Sequence, residues 1–598
     1  MYRTFTLISL ALPFCSFHLN GQTHAELTIG DVRARFFANG RVAYDPNVGV
    51  FEIPQGSGTN TNYAGGLWVA GQTVEGATLA SGTMYDLNNS KKFFPGPLTT
   101  NEGNTDQGTS AIYDRVWSLT REQITAHWTY FNCVEDPNCS MSENFPNGYT
   151  VPQDMLDWPA QGEIDAGYGE YLAPFYDRNG DGAYDPYDGD TPCILGDQAL
   201  FSIFSDALGS MNGNMPLGIE VHQMPFAYGS STPALSQTVF VAYRLINRST
   251  RTYTNTMFGF FNDFDLGCPN DDFIGTDPSR NLQYIYNWSD FDPTCMGFPG
   301  YGNQPPAFGM TLIKGPLLDQ TGQDEPASNS LPAWNGSGFG DAVTDNERHG
   351  LSYSMSFGRE GPPPITDPMQ PNHFYQYLQG RWKDGMPLTY GGSGYSLDPE
   401  AIPARYIYPG DDDPVGAGTD GQVMAPWREV EPTPATPDRR GVIGTGPITL
   451  LPGQNVDLLF AYVYARADSG GAFASVASLQ ARVDSVHAFA RTLPLWDLPP
   501  SQAFGTCADY LQLGVNSPST VRRLALFPNP SSEQVHFHAP RELEGGRLTV
   551  MDATGRIAIV QQVGPGLNAI DVSQLPSGIY GYQATSGTIR LTGKVVKQ

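Results

Sequence analysis

After its first twenty residues the chain has no apolar run long enough to cross a membrane as a helix, which takes about eighteen residues or more. Basic side chains are scarce, 33 against 61 acidic ones, and the formal net charge is −28. Phosphates would be repelled by that surplus, which argues against nucleic acid as a partner. None of the nine histidines forms an H-E-x-x-H pair, so zinc hydrolases of that type are excluded. His127 and His222 each stand alone among apolar residues, as packed histidines do. No C-x-x-C spacing offers a zinc site. There is no G-x-S-x-G elbow and no phosphate-binding G-x-x-x-x-G-K-[ST]. Gly391-Gly392-Ser393-Gly394 only looks like an elbow and reads as a loop. No repeat of fixed period is present.

Glycine (67) and proline (49) are abundant, charged residues make up only 16%, and aromatics reach 12%. Loop-rich extracellular β proteins have this composition, and the aromatics provide for a core. The expected fold is mainly β: a multi-domain β-sandwich body with a few helices and long Asp/Gly-rich loops, then a small C-terminal immunoglobulin-like β-sandwich. Strands are predicted at Asp31–Ala43, Gly66–Val74 and Gln237–Asn247, the last with Val239, Val241, Tyr243 and Leu245 on one face. A helix is predicted over Ser118–Phe131 with Ser118 as its cap. Ile448–Leu451 and Val456–Arg466 read as a hairpin. Val476, Leu479, Val483, Val486 and Ala490 recur at helical spacing.

The N-terminus carries Arg3, then the short apolar run Phe5–Phe14, then a polar stretch. This is the pattern of a Sec signal peptide over residues 1–21, cleaved before Gln22. Pro13 and Phe14 make a poor lipobox for Cys15, where small residues are wanted. The body is expected over 22–495 with subdivisions near 230 and 440, a linker over 496–523, and the terminal domain over 524–598. Once Cys15 leaves, six cysteines remain, an even number that suggests disulfides in an exported protein. Cys133 and Cys139 flank a short turn, and Cys268 and Cys295 bracket a loop-rich segment. Cys193 and Cys507 are left as a third pair.

One motif of the body carries chemistry. Asp177, Asn179 and Asp181 fall at positions 1, 3 and 5 of a calcium-type loop, with Gly182 at the sharp bend at position 6. Ala183 would offer its carbonyl at position 7, Asp185 stands at 9 and Asp188 at 12, with Asp190 in reserve for the shorter Asp188. The loop 177–190 resembles the free-standing calcium loops of dockerins and thrombospondin type 3 repeats. Hard cations suit such carboxylates, which would otherwise repel one another. A second acidic cluster comprises Asp263, Asp265, Asp271, Asp272 and Asp277. Asp411-Asp412-Asp413 reads as a solvated run. Ca2+ is the predicted cofactor.

The C-terminal residues carry an ordered set of motifs: Pro528-Asn529-Pro530, the turn Asp552-Ala-Thr-Gly555, then Leu575-Pro-Ser-Gly578-Ile-Tyr580, and a terminus holding Lys594 and Lys597. In this order they resemble the type A sorting domain of the type IX secretion system of Bacteroidota. The resemblance implies export across the outer membrane, the secretion machinery as partner, and release or attachment at the cell surface. The text of Asp31–Gly40, Leu172–Pro186 and Asp438–Pro447 is similar to a group of large Bacteroidota exported proteins without an assigned activity. The expectation is a calcium-stabilised, non-enzymatic surface or secreted component, binding glycan or another protein. The alternative is a secreted polysaccharide-active hydrolase, with Glu163, Asp165 and Glu170 as candidate carboxylates. Trp68, Trp128, Trp158, Trp382 and Trp427 could stack on sugars, but core packing is the commoner fate of tryptophan.

Overall fold

A computed structural model of the chain describes residues 23–44, 49–85, 93–208, 215–359, 361–429, 438–493, 526, 531–539, 543, 545–551, 556–586 and 589–598. It divides into two compact units, Met1–Gly514 and Val515–Gln598. The expected signal peptide and linker lie outside the described residues.

The first unit is built on two facing antiparallel sheets. One has nine strands, running in space from Asp272–Asp277 through Leu282–Asn287, Ala307–Lys314, Asn455–Ala465, Thr238–Asn247 and Ile219–Ala227 to Gln198–Ser205, which pairs with both Phe94–Pro95 and Trp117–Thr120. The other has five: Tyr353–Gly358, Arg439–Leu450, Tyr253–Asp263, Ala64–Thr73 and Thr78–Gly82. Alternation along the strands dictates the layering. Val239, Val241, Tyr243 and Leu245 of one sheet meet Phe258 and Phe260 of the other in a shared core. On the far face of the nine-stranded sheet Phe240 and Val463 lie under the helix Gly471–Ala490, whose Val476, Leu479, Val483, Val486 and Ala490 are all buried there. On the far face of the five-stranded sheet Trp68, Phe261 and Phe357 pack under Phe374 and Leu378 of the helix Pro371–Leu378. Sheets covered on both faces explain the nearly continuous apolar strand text. Gly259 permits the close approach of that second helix: a Cβ there would lie 2.3 Å from Leu378 Cδ2.

Three expectations are corrected. Residues 117–120 form a strand, and the helix begins at Arg121 and runs to Glu135. Its cap is Thr120, not Ser118, because Thr120 and Gln123 exchange the two hydrogen bonds of a capping box. The segments around the turn at 451–454 do not form a hairpin. Arg439–Leu450 pairs with Tyr253–Asp263 in one sheet, while Asn455–Ala465 pairs with Thr238–Asn247 in the other. The turn is therefore an arch across the core. Neither 230 nor 440 divides the body. Residues 228–237 join two neighbouring strands of one sheet, and 440 lies within Arg439–Leu450.

Disulfides join Cys133 to Cys139 and Cys268 to Cys295. Cys193 is also disulfide-bonded, and Cys507 lies outside the described residues. The second unit is a small β-sandwich. Gln534–Ala539 pairs with Gly566–Asp571, and Ile557–Gln562, Arg547–Met551, Gly578–Ser586 and Ile589–Lys597 form a four-stranded sheet. Val535, Phe537, Leu548, Val550, Ile570, Tyr582 and Val595 make their joint core.

Candidate metal centre

The predicted calcium loop leaves the strand Phe175–Tyr176 and returns through Thr191–Pro192. Asp177 accepts hydrogen bonds from the backbone N–H groups of Gly180 (2.6 Å) and Gly182 (2.8 Å). Gly182 has φ +85°, the left-handed bend the spacing requires. Asn179 Nδ2 donates to Asp181 at 3.0 Å and to Asp188 at 3.5 Å. Asp181 accepts from the Ala183 N–H, and Asp185 from the Tyr187 N–H. Asp190 is fully buried and accepts from the Arg178 and Asp185 N–H groups. Burial pushes its carboxyl up, helped by the charges of Asp177 and Asp181. Asp190 thus ties the loop together from beneath, while Asn179, Asp181, Asp185 and Asp188 are exposed.

The second acidic cluster is regrouped by the fold. Among the described residues, only Asp263, Asp265 and Asp438 bring three acidic ligand atoms within 4.8 Å of one another. Asp263 ends a central strand of the five-stranded sheet, and the register Asp263↔Arg440 brings the neighbouring Asp438 to the same end of the sandwich. Two unit charges at such a distance repel by roughly 3 kcal/mol or more at an effective dielectric of about 20. Burial, and then the charge of Asp438, push the carboxyls of Asp263 and Asp265 well above the usual range. Arg440 is shared among carboxylates, 3.5 Å from Asp263, 2.6 Å from Asp367 and 3.0 Å from Asp438. Tyr85 donates its hydroxyl to Asp263 Oδ2. Asp263 Oδ1 and Asp438 Oδ1 are buried acceptors without a hydrogen-bond donor. The donor set, all hard oxygen with spare lone pairs, fits a calcium ion.

The remaining predicted members do not join these three. Asp271 and Asp272 lie with Asp292 beyond the loop that Cys268 anchors. Asp292 accepts from the Cys268 and Tyr301 N–H groups, and Asp272 from the Leu266 N–H. Burial pushes Asp271 up to about 7 and Asp292 to about 6. Asp277 is separate: it caps a short 3-10 turn and pairs with Arg280 at 2.8 Å. Sequence proximity suggested one cluster where strand geometry makes three environments. Asp438 had no local signal, because only the strand pairing brings it to Asp263. Glu163, Asp165 and Glu170 are all exposed. Trp68, Trp158, Trp382 and Trp427 are core residues, and Trp128 packs at the edge of the second core with its Nε1–H on Thr191.

Residues 525–598 match the family described as the secretion system C-terminal sorting domain. The chain is a type IX secretion cargo protein. In this cargo protein Leu575 and Tyr580, expected from the motif order to belong to the sorting signal, pack in the small sandwich, and Tyr580 donates its hydroxyl to the Pro576 carbonyl at 2.9 Å. Gly578 opens the strand that pairs with Ile589–Lys597, which holds Lys594 and Lys597. Pro528, Asn529, Pro530, Asp552 and Gly555 lie outside the described residues. No helix among the described residues is long and apolar enough to cross a membrane. No curated protein matches the chain. A solved polysaccharide lyase overlaps 63% of this chain and 34% of its own length at 7% identity, with a TM-score of 0.17. The cargo protein thus spans about a third of that lyase, and an overlap this slight carries no inference.

Proposed function

We propose that this cargo protein is a non-enzymatic binding component, displayed on the cell surface or released from it, whose body is stiffened by calcium. Export would begin with a Sec signal peptide over residues 1–21 and end with the terminal sorting domain. The convergence of Asp263, Asp265 and Asp438 carries the calcium part of this reading. These residues close one end of the sandwich, where they join two strands of one sheet to the loop leading into the other. A cation held there would remove the mutual repulsion of two buried carboxylates and a half-buried third, and tie that loop to both strands. The loop of Asp177, Asn179, Asp181, Ala183, Asp185 and Asp188 would hold a second, more exposed ion. Its backbone hydrogen bonds already impose the turn that the ligand spacing demands.

The test is a thermal melt of metal-free protein titrated with calcium chloride. The expected result is a rise in melting temperature that saturates with calcium and is much reduced in Asp438→Asn. A melting temperature indifferent to calcium would refute the calcium reading.

A further inference from the structure

A half-open cavity of about 200 Å³ lies on the outer face of the nine-stranded sheet, at its Asp272–Asp277 edge. Its floor is Tyr284 and Tyr286, two apart on one strand and therefore on one face, with ring centroids 5.9 Å apart. Gly275 makes room for this floor, since a Cβ there would lie 2.5 Å from the Tyr284 ring. One wall is the start of the helix Gly471–Ala490, where Phe473 stands 5.3 Å from the Tyr286 ring and is 59% exposed. The opposite wall comes from the loops bearing Tyr408, Asp411, Asp412, Arg428 and Glu429. Thus strand, helix and loops converge on one space.

We infer that this cavity binds a neutral sugar residue of a glycan. The inference deepens the binding-component reading and rests on it. Aromatic faces supply surface for the C–H face of a pyranose, and Phe473 offers one that is largely solvent-exposed in the free protein. The hydroxyls of Tyr284, Tyr286 and Tyr408 make no hydrogen bond with another described residue, so each is available to a ligand as donor or acceptor. Carboxylates and Arg428 add acceptors and donors around the rim. Two of the three carboxylates are balanced inside the protein, Asp411 by Arg428 and Glu429 by Arg439, while Asp412 accepts a hydrogen bond from the neutral amide of Gln480 at 3.0 Å and is a single carboxylate, not a cage. A cationic ligand would need an uncompensated carboxylate cage, and an anionic one a free guanidinium. A polyhydroxyl ligand needs the mixture that is present.

The test is saturation-transfer NMR on the full chain with methyl glycosides of glucose, galactose, mannose, xylose and N-acetylglucosamine, with tetramethylammonium as a rival probe. At least one glycoside is expected to receive saturation. Phe473→Ala and Asp411→Asn, both at exposed positions, should each weaken its binding by about tenfold or more without moving the melting temperature. Leu397→Ala, exposed and outside the cavity lining, should bind as wild type does. Silence from every glycoside, binding unchanged in both cavity variants, or a stronger signal from tetramethylammonium would each overturn the inference. Calcium-dependent melting of the same samples reads the calcium proposal separately, so failure of one leaves the other standing.

Discussion

Glu220 shows how a single residue's chemistry is settled by its surroundings. It is fully buried in the strand Ile219–Ala227, with His222 Nε2 and an Arg248 nitrogen each 2.9 Å away and the Leu98 N–H at 2.7 Å. Burial alone would raise its pKa, but the hydrogen bond from His222 and the charge of Arg248 overcome it and hold the carboxyl at about 2. A folded-state value below the ordinary 4.5 means that Glu220 contributes stability above the ordinary value. That contribution is lost as pH falls through the window between the two. Glu220→Gln should lower unfolding stability at neutral pH by about 3 kcal/mol, because it leaves the half-buried Arg248 without its counter-charge. Urea unfolding at pH 7 and at pH 3 checks this, and the difference between variant and wild type should shrink at the lower pH. At this scale the sequence was only partly legible. Gly182 and the Asp177–Asp188 spacing could be read directly, because the whole loop is local text. Asp438 could not, nor could the tyrosine floor of the cavity, because strand register decides which distant residues meet. The run Asp411–Asp413 read as solvated, yet burial pushes Asp412 up to about 6 beneath Gln480.

Elements were easier to foresee than their partners. The helix Gly471–Ala490 followed from the three- and four-residue spacing of its apolar side chains, since that spacing is a property of one segment. The strand Thr238–Asn247 was clear for the same reason, and all four of its inward residues reached the inter-sheet core. What failed was pairing. A short turn between two strands fits a hairpin and an arch equally, and the choice depends on partners far along the chain. Ser118 failed as a cap because Thr120, two residues on, has Gln123 in position to complete the capping box. At the sandwich end the Cys268–Cys295 bridge closes a loop with a sequence separation of 27 beside Asp292. Chain-entropy reasoning assigns such a loop about 3–4 kcal/mol. Replacing both cysteines by serine should lower the free energy of unfolding by an amount of that order, measured in urea under non-reducing conditions. Calcium added at saturation should recover part of the loss, because the loop following Asp265 is the one the bridge restrains.

For the molecule as a whole, the two units divide the labour. Val515–Gln598 has its own core and its own sheets, and its family match concerns delivery. Removing residues 525–598 should leave a body that melts as the full chain does but accumulates in the periplasm, as fractionation would show. Surface delivery of that truncated chain would contradict the sorting role. The body, Met1–Gly514, holds both candidate calcium sites and the aromatic cavity. Three of its carboxylates meet at the sandwich end, where a bound cation would offset their mutual repulsion. Native mass spectrometry of the full chain in calcium-containing buffer measures this most directly. The account predicts that wild-type protein carries at least one more bound calcium than the Asp265→Asn, Asp438→Asn double variant. Equal calcium occupancy in the two proteins would contradict it.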